Sequence, residues 1–106
     1  MSSLFECLQI VLKDKNPFKS DLQLRSKLET TNELTNNMLE IPLLYIPRLD
    51  ELLSQYKQTK TIRVNVYGID EYVSIKKCIQ EINLIYNFNM YTVQETKTKT
   101  SDIEKN

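Results

Sequence analysis

The chain has 106 residues, of which 41% are hydrophobic and 26% are charged, and its 14 basic residues balance its 14 acidic ones. This length and composition are typical of one globular domain and exclude a wholly disordered chain. Zero net charge provides no overall field that would attract nucleic acid or an anionic membrane. The apolar runs are too short for a membrane span, no signal-peptide pattern opens the chain, and two cysteines make no disulfide framework. We therefore expect a soluble intracellular protein, cytoplasmic or nuclear.

The N-terminal half is predicted to be helical. Ser3 and Ser20 each precede a glutamate or glutamine by three positions, the spacing of a capping box. They predict helices over about residues 4–14 and 21–40, the first of which is apolar on nearly every side. A proline suited to the first turn opens a third predicted helix over about residues 47–58.

The second predicted helix carries an apolar stripe with two interpretations. Its members are Leu24, Leu28, Leu34 and Met38, with threonines at intervening positions of the same frame. The threonines weaken a coiled-coil seam, so an amphipathic helix packed on a core is the preferred interpretation. If the chain assembles with a partner, the stripe and Tyr45 are the predicted interface.

The segment "IPLLYIP", residues 41–47, interrupts the helical pattern with two prolines around four apolar residues. Proline removes a helix hydrogen bond and pushes the preceding residue toward extended geometry, so one continuous helix is excluded. We expect a corner between two helices that is buried in the core. The alternative is an exposed docking knob for a partner.

The last third of the chain changes its apolar period. Alternating residues predict strands over about residues 61–67 and 90–95, and an apolar stripe at helical spacing predicts a helix over about residues 71–86. This order is a βαβ unit with parallel strands. We therefore expect one α+β domain over residues 1–95, with a helical part at 1–58, a βαβ part at 61–95 and a flexible polar tail at 96–106.

No catalytic, cofactor or metal motif is present in the sequence. The chain has no histidine, one glycine and two cysteines. It therefore lacks the commonest general base, a glycine-rich phosphate loop and a set of zinc ligands. The acidic pairs at 50–51 and 70–71 stand at predicted helix starts, where the helix dipole explains them. We expect a non-enzymatic protein without cofactor or metal.

One short motif has a docking interpretation. "NPF", residues 16–18, matches the short peptide bound by endocytic EH domains, but Asn-Pro also starts turns. Phe18 precedes the second helix cap and is better explained as a staple that packs on that helix.

Two functions are predicted from these features. The first is an interaction or assembly protein, working as a homodimer or inside a complex, because a two-stranded sheet leaves open edges that a second copy would complete. The alternative is a small nucleic-acid-binding or regulatory protein of the kind that viruses and plasmids encode. Its predicted binding residues are Arg63, Tyr67 and Tyr91 on an open sheet face, with Lys57 and Lys60 as a small basic region nearby.

Overall fold

A computed structural model describes residues 2–29, 40–77 and 80–94. The predicted α+β class is confirmed, with helices that precede a sheet in the chain. The predicted continuation of the second helix over residues 30–39 and the predicted tail lie outside the described residues. The elements in chain order are α1 (Ser3–Leu12), α2 (Asp21–Leu28), α3 (Ile46–Leu53), β1 (Ile62–Gly68), β2 (Gln80–Asn87) and β3 (Met90–Val93), with short 3₁₀ turns at Lys13–Lys15 and Leu43–Tyr45.

The helix starts follow their capping residues. Ser20 caps α2, as predicted, and its hydroxyl accepts a hydrogen bond from the backbone N–H of Gln23 at 3.1 Å. At α1 the cap is Ser2 rather than Ser3, and its hydroxyl accepts from the N–H of Phe5. Ser3 is thereby released for contacts with other parts of the fold.

The predicted helix over residues 71–86 is wrong, and with it the βαβ unit. Residues 80–87 form the central strand, which runs parallel to β1 and antiparallel to β3. The segment has apolar residues at helical spacing, but Ile82 and Leu84 are also two positions apart, as on one face of a strand, and both are buried. As a strand it supplies hydrogen bonds to β1 and β3 at once, whereas a helix would have left a sheet of only two strands.

The connection from β1 to β2 is an extended segment instead of a helix. Tyr72 exchanges two backbone hydrogen bonds with Val66, of 2.7 and 2.9 Å, on the outer edge of β1. From Glu71 to Lys77 the residues alternate between exposed and at least half-buried. This period of two is typical of an extended chain. At Tyr72 the segment runs antiparallel to β1.

The core lies between one face of the sheet and the helices. It contains buried residues of α1, α2, α3 and all three strands, including Leu24 and Leu28 of the predicted stripe. The corner at 41–47 is largely part of it, because Ile41 and Ile46 are fully buried and Tyr45 is half-buried. The core interpretation of this corner is therefore confirmed for its two isoleucines, whereas Leu44 points outward.

The chain caps the outer edge of β1 with its own groups. The N–H of Ile62 donates to the carbonyl of Thr59, and the N–H of Val64 donates to the carboxylate of Asp50 at 2.9 Å. Further along the strand, both backbone groups of Val66 are paired with the connecting segment. A second copy could therefore not pair with β1 at Ile62, Val64 and Val66 without displacing the groups that already pair with these residues.

The outer edge of β3 is covered by α1. The N–H of Tyr91 donates to the Ser3 hydroxyl at 2.8 Å, and the Cys7 thiol donates to the Tyr91 carbonyl at 3.4 Å. The carboxylate of Glu40 accepts from the backbone N–H of Ser3 and holds this helix end in place. The premise of a two-stranded sheet with both edges open is therefore wrong: a third strand is present, and other parts of the chain pair with the β1 edge at Ile62, Val64 and Val66 and with the β3 edge at Tyr91.

Candidate functional site

The β2–β3 hairpin ends in an unusual turn. Its two-residue loop consists of Phe88 and Asn89, which have φ angles of 54° and 57°. Positive φ at both positions is the geometry of a type I′ turn, in which asparagine, aspartate and glycine are favoured. Asn89 meets this preference, but Phe88 does not, and its side chain is 93% exposed.

Beside this turn lies an open cleft of about 340 Å³, lined by Ile69, Asp70, Tyr86, Asn87, Phe88 and Asn89. We call it the hairpin cleft. It forms where β1 and β2 both reach their carboxyl ends. Gly68 allows the two strands to meet there, because a Cβ on this residue would lie 2.3 Å from the Tyr86 carbonyl oxygen and its φ is 139°.

The hairpin cleft combines apolar walls with amide and carboxylate groups. Ile69 is 80% exposed and faces the same space as Phe88. The Tyr86 ring is held by the ring of Tyr91 at a centroid distance of 4.5 Å, and its hydroxyl donates to the Asn89 side chain at 3.2 Å. These groups can bind an apolar side chain and hydrogen-bond to its backbone.

A second polar cluster surrounds Asp50 at the edge of β1. Its carboxylate accepts from the Val64 N–H, the Tyr72 hydroxyl at 3.1 Å and the Ser74 hydroxyl at 2.5 Å. The Lys76 ammonium lies 3.4 Å from the same carboxylate and donates to the Asp50 carbonyl at 2.8 Å. Burial, followed by the Asp50 charge and hydrogen bond, raises the pKa of Tyr72.

This cluster has a structural explanation. Asp50 and Ser74 are only 6% and 3% exposed, so a substrate could not reach either. The carboxylate is already satisfied by three donors and one cation, which fasten the connecting segment and α3 to β1. Its chemistry is that of an anchor rather than of an active site.

The predicted interface residues do not form one surface in the described part of the chain. Leu24 and Leu28 are buried in the core, which makes them unavailable to a partner and bears out the preferred core-facing interpretation for this part of the stripe. Leu34 and Met38 lie outside the described residues. Tyr45 is half-buried and packs against the core.

Three of the predicted nucleic-acid residues lie in the sheet, and they are divided between its two faces. Arg63 and Tyr67 lie on the outer face, where the Arg63 guanidinium pairs with Glu81 and donates to the Lys76 carbonyl. Tyr91 was expected beside them, but it is 2% exposed in the core, and its hydroxyl donates to the Ile41 carbonyl at 2.8 Å.

The register explains the misplacement of this tyrosine. β3 pairs with β2 rather than β1, and Tyr91 lies opposite Tyr86 on the core face. Burial raises the pKa of Tyr91. Lys57 and Lys60 are exposed as the alternative requires. Tyr91 therefore does not join Arg63 and Tyr67 on the outer face, and nucleic-acid binding stays a prediction.

The "NPF" motif is also explained by packing. Phe18 is 2% exposed, and its ring meets that of Tyr56 edge-on at 5.7 Å. The Asn16 side chain accepts from the Phe18 N–H at 3.0 Å, which is an Asx turn. The phenylalanine that an EH domain would bind is therefore already in the core.

The sequence reasoning missed the exposed residues of the hairpin cleft. No hairpin turn was predicted at residues 87–89, because the segment before them, 71–86, was predicted to be a helix. Between two strands, a two-residue loop that contains an asparagine would have indicated a hairpin turn. This turn pattern is recognisable only when residues 80–87 are assigned to a strand.

No protein-family model matches the chain, and no curated protein or solved structure is significantly similar to it. Within residues 2–29, 40–77 and 80–94, no helix has the length and apolar character needed to cross a membrane. The same residues include no group of three or more acidic or cysteine side chains placed to hold a metal ion.

Proposed function

We propose that this chain is a non-enzymatic interaction or assembly protein that binds another protein through the hairpin cleft. The observation that carries the proposal is the state of Phe88. A large aromatic side chain stands at the tip of a hairpin, almost fully exposed, on a backbone with positive φ.

Neither property of Phe88 stabilises the isolated chain. A residue with a Cβ costs roughly 1–2 kcal/mol in the left-handed region, and asparagine in the same position relieves part of this cost. The exposed ring contributes little burial to the chain's own fold. Backbone strain of this kind concentrates at binding sites, so a ring that gains its burial from a partner gives the strain a function.

The surroundings of Phe88 support a protein partner. Ile69 shares the cleft, and Met90, two residues further along the hairpin, is 55% exposed. Aromatic residues and methionine are enriched in protein interfaces. The amides of Asn87 and Asn89 can pair with a backbone, and the Asp70 carboxylate favours a nearby basic residue. The expected ligand is an apolar side chain flanked by lysine or arginine.

The first test needs no partner. Phe88→Asn should leave the thermal midpoint unchanged or raise it, because asparagine suits the turn. Leu44→Asn is the matched control, since Leu44 is also exposed, at 73%, but lies in a different part of the fold. A clear fall in the midpoint for Phe88→Asn would show that the ring stabilises the free chain and would contradict the proposal.

The second test measures binding. A photo-crosslinking amino acid at position 88 should give a protein adduct in the native host, and the same group at position 44 should not. The identified partner is then titrated against purified wild type, Phe88→Asn and Leu44→Asn. We expect affinity to fall at least about tenfold for Phe88→Asn alone, as for a hot-spot truncation. Equal affinity for all three proteins would overturn the proposal.

A further inference from the structure

The segment Glu71–Lys77, which connects β1 to β2, has one side directed into the protein and one side directed outward. Tyr72 pairs with Val66, and the Ser74 N–H donates to the Asn65 side chain at 2.9 Å. In an extended chain, the backbone groups of alternate residues point to opposite edges. Those of Val73 and Ile75 therefore point away from β1.

Nothing in the described part of the chain covers this outer edge. Val73 is 52% exposed and Ile75 is 99% exposed, so the backbone of Ile75 is accessible as well as its side chain. Neither residue exchanges a hydrogen bond with another described residue. An apolar extended edge whose donors and acceptors pair with no described residue is a site for strand addition.

We propose that this edge pairs with the same edge of a second copy, antiparallel, about a twofold axis at Ser74. In this register Val73 lies opposite Ile75 of the second copy, and Glu71 lies opposite Lys77. Both charged residues are exposed in the single chain. Each contact occurs twice, as a twofold interface requires.

Three independent features agree on this one register. The outward-pointing backbone groups belong to odd-numbered residues, and the register pairs odd with odd, so that Val73 and Ile75 exchange hydrogen bonds. The two apolar residues become cross-strand neighbours, which is a favourable pair. The terminal charges meet with opposite sign, whereas a parallel arrangement in register would place like charges together.

The resulting dimer differs from the one that open β1 and β3 edges would have formed. It leaves the Asp50 and Ser3 contacts of those edges intact and extends the sheet through the connecting segment. It also uses residues other than those that line the hairpin cleft. The two proposals can therefore succeed or fail separately.

The test is the mass of the full chain by light scattering or sedimentation across a dilution series at low ionic strength. Wild type should dissociate from dimer to monomer on dilution. Glu71→Lys and Lys77→Glu should each weaken the dimer about tenfold, because each replaces two attractive pairs with two repulsive ones. The double variant, which exchanges the two charges, should restore the wild-type dissociation constant.

A fourth variant tests the apolar pair. Ile75→Asp should abolish the dimer, whereas Ile10→Asp, at a 63% exposed position of α1, should leave it intact. Circular dichroism verifies that each variant is folded. A monomer at every concentration would overturn the inference. So would a dimer that is insensitive to Ile75→Asp, or a charge exchange that fails to rescue the single reversals.

Discussion

Removal of the Asp50 carboxylate should destabilise the fold strongly, because this group connects α3 to β1 and to the segment between β1 and β2. In Asp50→Ala the Val64 N–H loses its acceptor on a buried strand, and Lys76 loses its counter-charge. An unpaired buried donor costs about 1–3 kcal/mol, and a buried ion pair that loses one partner costs about 3–5 kcal/mol. These contributions overlap in one network, so we expect a total loss of about 3–5 kcal/mol.

The loss is measurable by thermal unfolding followed by circular dichroism, which suits a chain without tryptophan. For a domain of this size each 1 kcal/mol lowers the midpoint by about 4–8 °C, so Asp50→Ala should melt at least about 12 °C below wild type. The midpoint of Asp50→Asn should lie between those of wild type and Asp50→Ala, because the amide oxygen still accepts from the Val64 N–H while the charge is lost.

Glu51→Ala is the matched control, because Glu51 is the next residue of α3 and its exposed pair with Arg48 has side chains 67% and 46% accessible. Exposed pairs of this kind contribute about 0.5 kcal/mol or less. If Asp50→Ala and Glu51→Ala shift the midpoint equally, the Asp50 cluster does not anchor the connecting segment and the reasoning is refuted.

Two further predictions concern Gly68 and Cys7. Gly68→Ala should destabilise the fold by about 1–3 kcal/mol, because its Cβ would collide with the Tyr86 carbonyl and its φ is positive, and an unchanged urea midpoint would contradict this. Burial, with smaller effects of Glu40 and Glu6, raises the pKa of the Cys7 thiol to about 11, so a Cys78→Ser variant should react slowly with Ellman's reagent until urea unfolds it. Since the unfolded thiol ionises near pH 9, the contribution of Cys7 to stability should be complete below pH 9 and decline as the pH rises toward 11. Rapid labelling of the native variant would show that the thiol is accessible.

The sequence by itself determined those elements whose apolar spacing fits either a helix or a strand, but not both. The start of the helix at 46–53 and both ends of the strand at 62–68 were predicted to within one residue, because their apolar residues follow one spacing and a proline or glycine marks a boundary. The end of that helix, which no such residue marks, was predicted five residues too late. The α+β class follows from the change of period along the chain. The corner at 41–47 was also recognisable, since two prolines flank its four central apolar residues and exclude one continuous helix.

Only the tertiary structure decided the state of residues 80–87. Their apolar residues fit a helix and a strand equally well, and helical hydrogen bonds would have been satisfied within the segment. Strand hydrogen bonds require partners distant in sequence, here β1 and β3, and no local pattern reveals whether such partners are in place. The same long-range choice left Ile75 99% exposed and placed Tyr91 in the core. The two candidate interaction surfaces follow from this pairing, and for that reason the sequence could not show them.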